Sequence, residues 1–570
     1  MSEKVKKLTP VEVFKAESNY LRGEIAEELV DENDFFGKAS IQLLKHHGTY
    51  QQDNRDVRGV KDAAGKPQKS YMFMVRTKIP GGRITSEQLL AELDLCEEVA
   101  NGTLRITSRQ GLQLHGVLKN SLKRTIRRIE EIKLSTLAAC GDVERNVMCT
   151  PAPYKDEIHD QMQQLAADIA ERLCPQSTGF YEVWLQDPDS GEKELVAGGA
   201  EVVEPIYGST YLPRKFKTAV ALPSDNNVDL YTHDCGLMAI VEEGKIVGYN
   251  MLVGGGQGVT PSAKKTFPAL GKPLAFATLE QVIDVLVAVI KVQRDNGDRT
   301  DRKVARLKYL IANWGIERFR AEVEKYYGSP LTDPRPIEVS EHDDHMGWHE
   351  QGDGRWFYGL NVENGRIKDE GDFRLKSALR AICTKFSPGI RLTPHQGMIF
   401  ADVEEGDRDE LESILREHGV PLTEEISNAR RWSMACVAWP TCGLSITESE
   451  RALPSMIDEL DVELEKLGLA EEKFTVRMTG CPNGCARPYN SDIGIVGKAK
   501  EKYTILLGGR RLGDRLNTIY QDMVPAGEVV PTLARVFAFF KQHRESDESF
   551  GDFCHRRDVA TLASQVDGDS

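Results

Sequence analysis

Alternating apolar and polar positions predict strands in two parts of this chain. Between residues 104 and 115 an apolar set alternates with a polar set, the apolar Leu104, Ile106, Leu112 and Leu114 and the polar Arg105, Thr107, Gln113 and His115. A period of two predicts a strand whose polar side chains share one face. Residues 390–393 repeat this pattern.

Helical spacing appears in two apolar stretches. The first contains Leu453, Met456, Ile457, Leu460, Leu464 and Leu467. Pro454 suits a first turn and Gly468 a stop, so a helix is predicted here. The second runs from Leu279 to Val292 and is interrupted by charged residues, which predicts a core helix with Thr278 and Gln281 able to form a capping box. Strands and helices together predict mixed α+β layers.

Four short segments recur in consistent order and indicate an internal duplication. Residues 104–111 are echoed at 390–397 and residues 81–84 at 364–367, at offsets of 286 and 283. Residues 248–255 are echoed at 502–509 and residues 234–237 at 492–495, at offsets of 254 and 258. Such a period predicts two domain-sized copies rather than a solenoid. Residues 333–355, rich in Pro, Asp, His and Gly, are the predicted linker.

Four cysteines near the C-terminus are the strongest chemical signal. Cys436 and Cys442 are separated by five residues, and Cys481 and Cys485 by three. Four thiolates from two loops favour a [4Fe–4S] cluster. Zinc is the alternative, although it prefers two close pairs, and a disulfide ranks behind both. In the other copy, residues 223–227 fall opposite the second pair and contain no cysteine.

Cations recur beside turns and strands in a chain that is acidic as a whole. They are Arg76, Arg105, Arg109, Arg145, Arg214, Lys215, Lys217, Arg306 and Arg487. Charge runs on a surface are usually only solvated, but paired guanidinium donors suit a pocket for an anion or a polycarboxylate. The glycine-rich loop 254–258 predicts close backbone approach to a bound group, and it does not match a dinucleotide fingerprint.

Composition narrows the class of protein. The 570 residues are 40% hydrophobic and 28% charged, with a formal net charge of −15, which argues against nucleic-acid binding. We predict no membrane span and a cytoplasmic location. The other cysteines, Cys96, Cys140, Cys149, Cys174, Cys235, Cys383 and Cys554, are predicted to be buried small hydrophobes, and Cys149 is singled out because it lies close to Arg145 in sequence. His233, His342 and His345 are predicted to be surface or hydrogen-bonding residues rather than metal ligands.

These motifs resemble the assimilatory sulfite and nitrite reductases. The resemblance rests on the cysteine pattern with Thr-Gly-Cys-Pro-Asn-Gly-Cys at 479–485, and on segments 105–110, 145–147, 212–217 and 254–256. It runs from about residue 17 to residue 553. Within the family the likeness is closest to the hemoprotein (beta) components of NADPH-sulfite reductase, through segments 17–23 and 48–56.

The resemblance implies an α+β, internally duplicated fold with pseudo-twofold related halves and three domains. It predicts an N-terminal extension at 1–70, which is a candidate partner-binding segment, and a duplicated ferredoxin-like α+β domain at 71–150 plus 340–425. A siroheme and substrate-anion domain is expected at 151–335, and an iron–sulfur cluster domain at 426–570.

The resemblance also implies siroheme coupled to a [4Fe–4S] cluster. Cys436, Cys442, Cys481 and Cys485 would bind the cluster, and Cys485 would also ligate the siroheme iron. The residues expected on the siroheme side are Arg105, Arg109, Gln113, His115, Arg306, Gln396, Asn483 and Arg487. The residues expected to hold the substrate anion are Arg76, Arg145, Lys215 and Lys217.

The implied activity is six-electron reduction of sulfite to hydrogen sulfide in assimilatory sulfur metabolism and cysteine biosynthesis. Nitrite reduction to ammonia is the alternative, and a non-catalytic four-cysteine metal-binding module is a remote one. Lys217 favours sulfite, because the nitrite enzymes typically have asparagine there. The chain has no convincing nicotinamide or flavin motif, so the expected donor is a flavoprotein (alpha) subunit carrying electrons from NADPH, or else ferredoxin.

Overall fold

The computed structural model describes residues 7–61, 65, 69–176, 182–198 and 204–568. Its helices are α1 (Pro10–Ala16), α2 (Ile25–Leu29), α3 (Lys38–Leu43), α4 (Ser86–Val99), α5 (Leu122–Glu131), α6 (Glu157–Arg172), α7 (Val282–Asn296), α8 (Leu307–Trp314), α9 (Ile316–Tyr327), α10 (Leu375–Phe386), α11 (Arg408–Glu417), α12 (Asn428–Arg431), α13 (Leu453–Leu467), α14 (Val529–His543), α15 (Phe550–Arg556) and α16 (Val559–Gly568).

The strands of the first half are β1 (Thr49–Asp53), β2 (Tyr71–Thr77), β3 (Arg83–Ile84), β4 (Leu104–Ile106), β5 (Leu112–Val117), β6 (Met148–Cys149), β7 (Glu182–Gln186), β8 (Lys193–Gly198), β9 (Thr218–Ala221), β10 (Cys235–Glu242), β11 (Lys245–Val253) and β12 (Lys272–Thr278). Those of the second half are β13 (Gly347–Glu350), β14 (Trp356–Leu360), β15 (Arg366–Ile367), β16 (Asp369–Glu370), β17 (Phe373–Arg374), β18 (Gly389–Leu392), β19 (Met398–Val403), β20 (Ser433–Ala435), β21 (Val476–Thr479), β22 (Ile493–Ala499), β23 (Lys502–Leu507) and β24 (Thr518–Pro525).

Two five-stranded sheets exchange an edge strand with each other. Their orders are β1-β2-β5-β4-β15 and β13-β14-β19-β18-β3. Arg366 of β15 pairs with Arg105 of β4, and Arg83 of β3 pairs with Arg391 of β18, so each copy completes the other's sheet. This reciprocal exchange joins the two copies into one hydrophobic core, which contains Leu104 and Ile106 from the first copy and Ile390 and Leu392 from the second.

Two further five-stranded sheets share one topology. The first of them has the order β6-β9-β10-β11-β12. Strands β6, β9 and β10 run parallel to one another, β11 runs antiparallel to β10, and β12 runs antiparallel to β11. The sheet β20-β21-β22-β23-β24 has the same pattern. The repeated segments 234–237 and 492–495 lie at equivalent places in the two sheets, because β10 begins at Cys235 and β22 at Ile493. The predicted duplicated α+β fold is therefore confirmed.

The predicted helices form with small changes at their starts. Helix α13 spans Leu453–Leu467 and ends at Gly468, which is left-handed at φ 67°. Each apolar side chain fully buried along such a helix contributes about 1.5–3 kcal/mol. Helix α7 begins at Val282, three residues later than predicted. Only half of its capping box forms, since the Thr278 N–H donates to Gln281 Oε1 at 3.2 Å while Thr278 Oγ1 donates to Glu280.

Two expectations about strands and the linker were wrong. The alternating segment 104–115 is two antiparallel strands, β4 and β5, because a tight turn at 107–111 reverses the chain. Alternation continues across that turn, so it hides the reversal, yet Arg105 still faces Gln113 across the pair. The predicted linker 333–355 contains strand β13, which pairs with β14 in the second-copy sheet.

The predicted N-terminal extension contacts the rest of the chain closely. Lys15 of α1 is fully buried and donates to Leu212 O at 2.6 Å, and its ammonium lies 2.7 Å from Glu12. Strand β1 pairs with β2. Two further large cores lie under the sheets that contain β10 and β22. In the described part of the chain, no helix has the length and apolarity needed to cross a membrane.

Candidate active site

The four C-terminal cysteines lie after two parallel strands that end at the same edge. Cys436 follows β20 and Cys481 follows β21, and Ala435 pairs with Met478 between them. The Cys436 N–H donates to Met478 O at 3.1 Å, and the Gly480 N–H donates to Cys436 Sγ at 3.4 Å. This register brings the two cysteine-bearing loops together.

The thiols act on one another electrostatically. Burial raises the pKa of the Cys436 thiol, and the neighbouring Cys485 and Cys481 raise it further. Burial likewise raises the pKa of Cys442, and that of Cys481 to about 12. Soft metals deprotonate such thiols on binding, so these donors fit an iron–sulfur centre. Among the described residues, no group of three or more His, Cys, Asp or Glu side chains has the arrangement of a site for a single metal ion.

A cleft connects Cys485 to the cations. Predicted site residues that line it are Arg109, Lys215, Lys217, Arg306, Asn483, Cys485 and Arg487. Residues that the sequence did not single out for this site line it as well, namely Ser108, Thr232, His233, Gln257, Gly258 and Gly484. The thiol of Cys485 and two lysine ammonium groups therefore share one cavity.

Arg145 and the two lysines lie on adjacent extended segments. The Phe216 N–H donates to Val143 O at 3.0 Å, and the Arg145 N–H donates to Phe216 O at 3.1 Å. Phe216 is fully buried, so Lys215 and Lys217 flank a buried anchor. This pairing explains why a cation run at 214–217 is not a solvated surface.

Arg76 belongs to a polar row across the first sheet. Arg76 of β2 lies beside Gln113 of β5, which lies beside Arg105 of β4. With its amide oxygen turned toward Arg76, Gln113 accepts from Arg76 Nε at 3.1 Å. Arg76 also donates to Cys140 Sγ at 2.7 Å. The thiol of Cys140, which the sequence analysis did not single out, thus contacts a predicted site residue.

The cations divide into two groups by their counter-charges. Arg105 lies 2.8 Å from Glu450, Arg306 lies 2.6 Å from Asp234, and Arg487 pairs with Asp229. Among the described residues, six of these cations have no carboxylate partner, namely Arg76, Arg109, Arg145, Arg214, Lys215 and Lys217. Several uncompensated cations in one partly buried region favour a bound anion.

The lysines also have altered proton affinity. Burial lowers the pKa of Lys215 well below its ordinary value, and Lys217 and Arg145 lower it further. Burial acts in the same direction on Lys217, followed by Arg109 and Arg306. Both ammonium groups can therefore release protons more readily than a solvated lysine, which suits general acid catalysis.

The glycine-rich loop brings backbone close to a cation. A Cβ on Gly256 would lie 2.5 Å from Arg306 Nη1, so a side chain there would displace the guanidinium. Lys308 holds the loop by donating to Gly256 O at 3.0 Å and Gly258 O at 2.9 Å. Gln257, which belongs to the loop predicted to approach a bound group, accepts from the Tyr489 N–H at 2.9 Å.

Several buried polar atoms of predicted site residues and of the glycine-rich loop have no partner among the described residues. They are Arg109 Nε, Gln257 Nε2, Gln396 Oε1 and both ring nitrogens of His115. Buried polar groups normally have partners, so the unmatched donors Arg109 Nε and Gln257 Nε2, whose residues line the cleft, fit a group with several carboxylates. The cysteine donors and this donor set therefore fit an iron–sulfur cluster beside a polyanionic cofactor.

The predicted histidine roles were partly wrong. His233, His342 and His345 are all buried rather than at the surface. His233 lies at the cleft, where its Nδ1 is 3.1 Å from Arg109 Nη1 and its Nε2 is 2.8 Å from Val228 O. His345 Nε2 lies 2.7 Å from Asp225. Of the other cysteines, all but the half-buried Cys174 are buried as predicted.

Six of the predicted anion-side and siroheme-side residues lie outside the cleft lining, as do Cys436, Cys442 and Cys481. Arg76, Arg105, Gln113 and His115 lie in the first sheet, while Gln396 lies in the second copy and donates to Asn364 O at 3.2 Å. Arg145 joins the cleft through its neighbours Lys215 and Lys217. Asp229 was missed, and a lone aspartate distant in sequence from its two arginines carries no signal that could have revealed it.

Comparison with known proteins defines the class. The family described as the nitrite and sulphite reductase 4Fe-4S domain matches residues 160–331 and 427–570, and the nitrite/sulfite reductase ferredoxin-like half domain matches 65–132 and 349–418. The chain belongs to the nitrite and sulfite reductase family and is an oxidoreductase. The family description and the hemoprotein relatives below support the predicted iron–sulfur and heme cofactors.

Individual relatives match over nearly the whole chain. A "Sulfite reductase [ferredoxin]" of Synechococcus elongatus is 45% identical and covers 96% of this chain and 89% of its own. A "Sulfite reductase [NADPH] hemoprotein beta-component" of Staphylococcus saprophyticus is 43% identical, with 97% and 96% covered. The solved structure of the Mycobacterium tuberculosis NirA protein superposes with a TM-score of 0.80 at 26% identity, covering 97% of each chain.

Proposed function

We propose that this protein reduces sulfite to hydrogen sulfide with six electrons, at a siroheme coupled to a [4Fe–4S] cluster, in assimilatory sulfur metabolism that supplies cysteine biosynthesis. The observation that carries the proposal is the shared cleft, where Cys485 faces Lys215 and Lys217 and where Arg145 lies alongside. The proposal includes the predicted cytoplasmic location.

The donor set supports the cofactor ligands that the family resemblance implies. Cys436, Cys442, Cys481 and Cys485 would hold the cluster, and Cys485 would also ligate the siroheme iron. The siroheme side is formed by Arg105, Arg109, Gln113, His115, Arg306, Gln396, Asn483 and Arg487. When bound, the two cofactors supply electrons one at a time to the substrate sulfur.

The partners that an arginine already has in the protein decide how many of its donors are left for a cofactor carboxylate. Arg487 donates to Ser108 O at 2.7 Å and to Pro394 O at 3.0 Å besides its pair with Asp229. All three of its nitrogens are engaged, so Arg487 shapes the pocket more than it neutralises a carboxylate. Arg109 keeps one free donor, Nε, and has no carboxylate partner, so it is the stronger candidate for a cofactor carboxylate.

The chain's own cations orient the substrate and move protons. Arg76 and Arg145 hold the oxygens of the anion, because guanidinium groups donate in a fixed fork and stay protonated. Lys215 and Lys217 stabilise the charge that develops as each S–O bond weakens and donate the protons that release three oxygens as water. Their lowered pKa suits this donation.

The first experiment is a visible spectrum of protein made in cells that synthesise siroheme. We expect tetrapyrrole bands that shift when sulfite is added, with iron and acid-labile sulfide in the protein. Zinc without iron, or no tetrapyrrole, would remove the catalytic proposal and favour the four-cysteine binding module.

Nitrite reduction to ammonia is the second candidate, because the family contains both activities. A dianion gains more than a monoanion from the additional cation at Lys217. We expect Lys217→Asn to lower kcat/KM for sulfite by at least tenfold more than for nitrite. Lys466→Asn on exposed α13 is the matched control and leaves both rates unchanged. Equal losses on the two substrates would reject the sulfite assignment.

The electron donor is a separate protein in this proposal, either a flavoprotein (alpha) subunit or ferredoxin. Relatives named for each donor are nearly equally similar, so direct assay with both donors decides. Turnover with reduced ferredoxin but not with a flavoprotein and NADPH would assign the first, and the reverse would assign the second.

A further inference from the structure

A second group of cations lies beside the proposed substrate site, outside the cleft lining. Lys45 follows α3 in a short helical turn, and that turn is fixed against two site segments. His46 O accepts from the Ala138 N–H at 2.7 Å, and Gly48 O accepts from the Arg76 N–H at 3.0 Å. His46 Nε2 accepts from the Asp142 N–H at 3.0 Å. The backbone of Lys45 is therefore held at a defined place next to Arg76 and residues 138–145.

The nearby carboxylate is already committed to other cations. Asp142 accepts two bonds from Arg302, each 2.8 Å, and its carboxylate lies 3.4 Å from Lys15. The ammonium of Lys45 instead donates to the neutral Gln42 Oε1 at 2.6 Å and lies 5.8 Å from the centre of the Tyr50 ring. Lys45 thus has no dedicated counter-ion among the described residues.

Arg214 likewise has no counter-ion among the described residues. It is half-buried directly before Lys215, and among the described residues it forms no ion pair or side-chain hydrogen bond. The Leu212 N–H donates to Asp142 O at 3.0 Å, so the segment that leads to Arg214 lies beside residues 138–145, where the turn of Lys45 is also fixed. Burial, with Arg302, Arg214 and Arg145 acting in the same direction and Asp142 opposing them, lowers the pKa of Lys45 to about 8. Burial and Arg302 likewise lower the pKa of Arg214 to about 10, against the opposing effect of Asp142.

We propose that Lys45 and Arg214 form an outer anion-binding site that captures a small oxyanion dianion and passes it to Arg145, Lys215 and Lys217. The ligand is an oxyanion because the site offers cationic donors and no charged acceptor that is free. Fields from grouped cations raise the local concentration of an anion and its rate of entry, above all in a chain whose net charge is −15. This inference rests on the proposed function for the identity of the natural dianion, sulfite.

The kinetic test uses the siroheme-loaded holoenzyme. Lys45→Gln is expected to lower kcat/KM for sulfite about tenfold at low ionic strength while kcat stays within about twofold. The difference shrinks as salt rises, because the screening length falls from about 10 Å at 0.1 M to about 3 Å at 1 M. Lys45→Arg restores the wild-type value, and Lys38→Gln, an exposed lysine of α3, is the matched control. A fall in kcat with KM unchanged would overturn the proposal.

The binding test does not depend on turnover. Hydrogen phosphate dianion is expected to raise the Tm of the wild-type holoenzyme, and to raise that of Lys45→Gln and Arg214→Gln clearly less. Equal stabilisation of all three proteins would overturn the outer site even if sulfite is reduced. If phosphate distinguishes the variants but the loaded protein does not reduce sulfite, the outer site stands and the proposed function fails.

Discussion

The turns at 107–111 and 393–397 repeat one backbone and differ in what their side chains hold. The Thr107 N–H donates to Gly111 O at 2.8 Å, and the Thr393 N–H donates to Gly397 O at 2.9 Å. The central glutamines are both left-handed, Gln110 at φ 52° and Gln396 at φ 70°. A duplicated backbone therefore fixes the position of these side chains and leaves their chemistry free to differ.

The chemistry does differ between the two copies. Arg109 of the first turn lines the cleft, whereas His395, at the equivalent position, packs against His342 with ring centres 4.9 Å apart. In the central sheets, the first copy places Arg145 and Lys217 just before β6 and β9. The second copy places Cys436 and Cys481 just after β20 and β21. One copy thus provides cations and the other provides thiols.

The largest effect is expected from a substitution that removes the Cys485 thiol, which the cations face. Cys485→Ser replaces a thiolate donor with a hydroxyl, which is a poor ligand for iron–sulfur chemistry. We expect sulfite reduction to fall at least a thousandfold, with circular dichroism close to wild type. Cys174→Ser, in a half-buried cysteine away from the cleft, is the control and keeps its activity. Sulfite reduction at the normal rate in Cys485→Ser would refute the shared-thiolate role.

A smaller effect is expected for Asp229, a carboxylate of the first copy that pairs with arginines of the second copy. Asp229 of the first copy accepts from Arg477 at 2.8 Å, pairs with Arg487 and accepts from Asn490 at 2.9 Å. Burial raises the pKa of Asp229, but the two guanidinium groups outweigh it and hold that pKa well below its usual range. Asp229→Asn leaves two buried cations without a counter-charge, so we expect a loss of about 3–5 kcal/mol in the free energy of unfolding.

The control for Asp229→Asn is a surface ion pair. Asp94, 61% exposed, pairs with Arg380 on α10, and such pairs contribute less than about 1 kcal/mol. Urea denaturation of both variants measures the difference. A loss in Asp229→Asn no larger than in Asp94→Asn would show that the two copies are not joined by this charge network.

The sequence predicted the residues of the site better than their pairing. Spacing along the chain sufficed for the duplication and for helix α13, whereas the roles of the seven predicted residues that line the cleft came from the resemblance to the family. The division into paired and unpaired cations was not predictable. Asp229 and Arg477 are 248 residues apart, and only the fold brings them into contact.

Two local expectations failed for the same physical reason. A strand reversal at 107–111 keeps the alternation of apolar and polar residues, and the pairing of β13 depends on a partner strand rather than on its own composition. Likewise Lys45 and Cys140 carry no motif, and their roles arise from contacts with Gln42, Tyr50 and Arg76.

The two central glutamines allow a direct test of how far the copies have diverged in energy. Gln110 donates to Cys149 O at 2.8 Å and to Leu392 O at 3.0 Å, and accepts from the Cys149 N–H at 2.9 Å. Gln396 donates once, to Asn364 O, and its oxygen has no partner in the described chain. We expect Gln110→Ala to cost about 2–4 kcal/mol and Gln396→Ala about 1 kcal/mol, since each buried group left without a partner costs about 1–3 kcal/mol.

Thermal and urea unfolding of the cofactor-free proteins compare the two glutamine variants on equal terms. Equal costs would mean that backbone hydrogen bonds alone hold both turns, and the contrast between the copies would then be limited to the cleft. A larger cost for Gln396→Ala would reverse the comparison.

The smallest expected effect concerns pH and the joint between the copies. His345 of the connecting segment lies 2.7 Å from Asp225 of the first copy. Burial lowers the pKa of His345, but Asp225 outweighs it and raises that pKa from 6.5 to about 9. Because the folded pKa exceeds the unfolded one, the pair stabilises the fold fully below pH 6.5 and loses its contribution as pH rises through about 9. We expect His345→Gln to flatten this dependence, by about 1–2 kcal/mol between pH 6.5 and 8. His418→Gln is the control, and we expect it to keep the wild-type slope. The ring of His418 hydrogen-bonds a backbone carbonyl at the end of α11. An unchanged slope in His345→Gln would mean that the joint is held by packing and not by this ion pair.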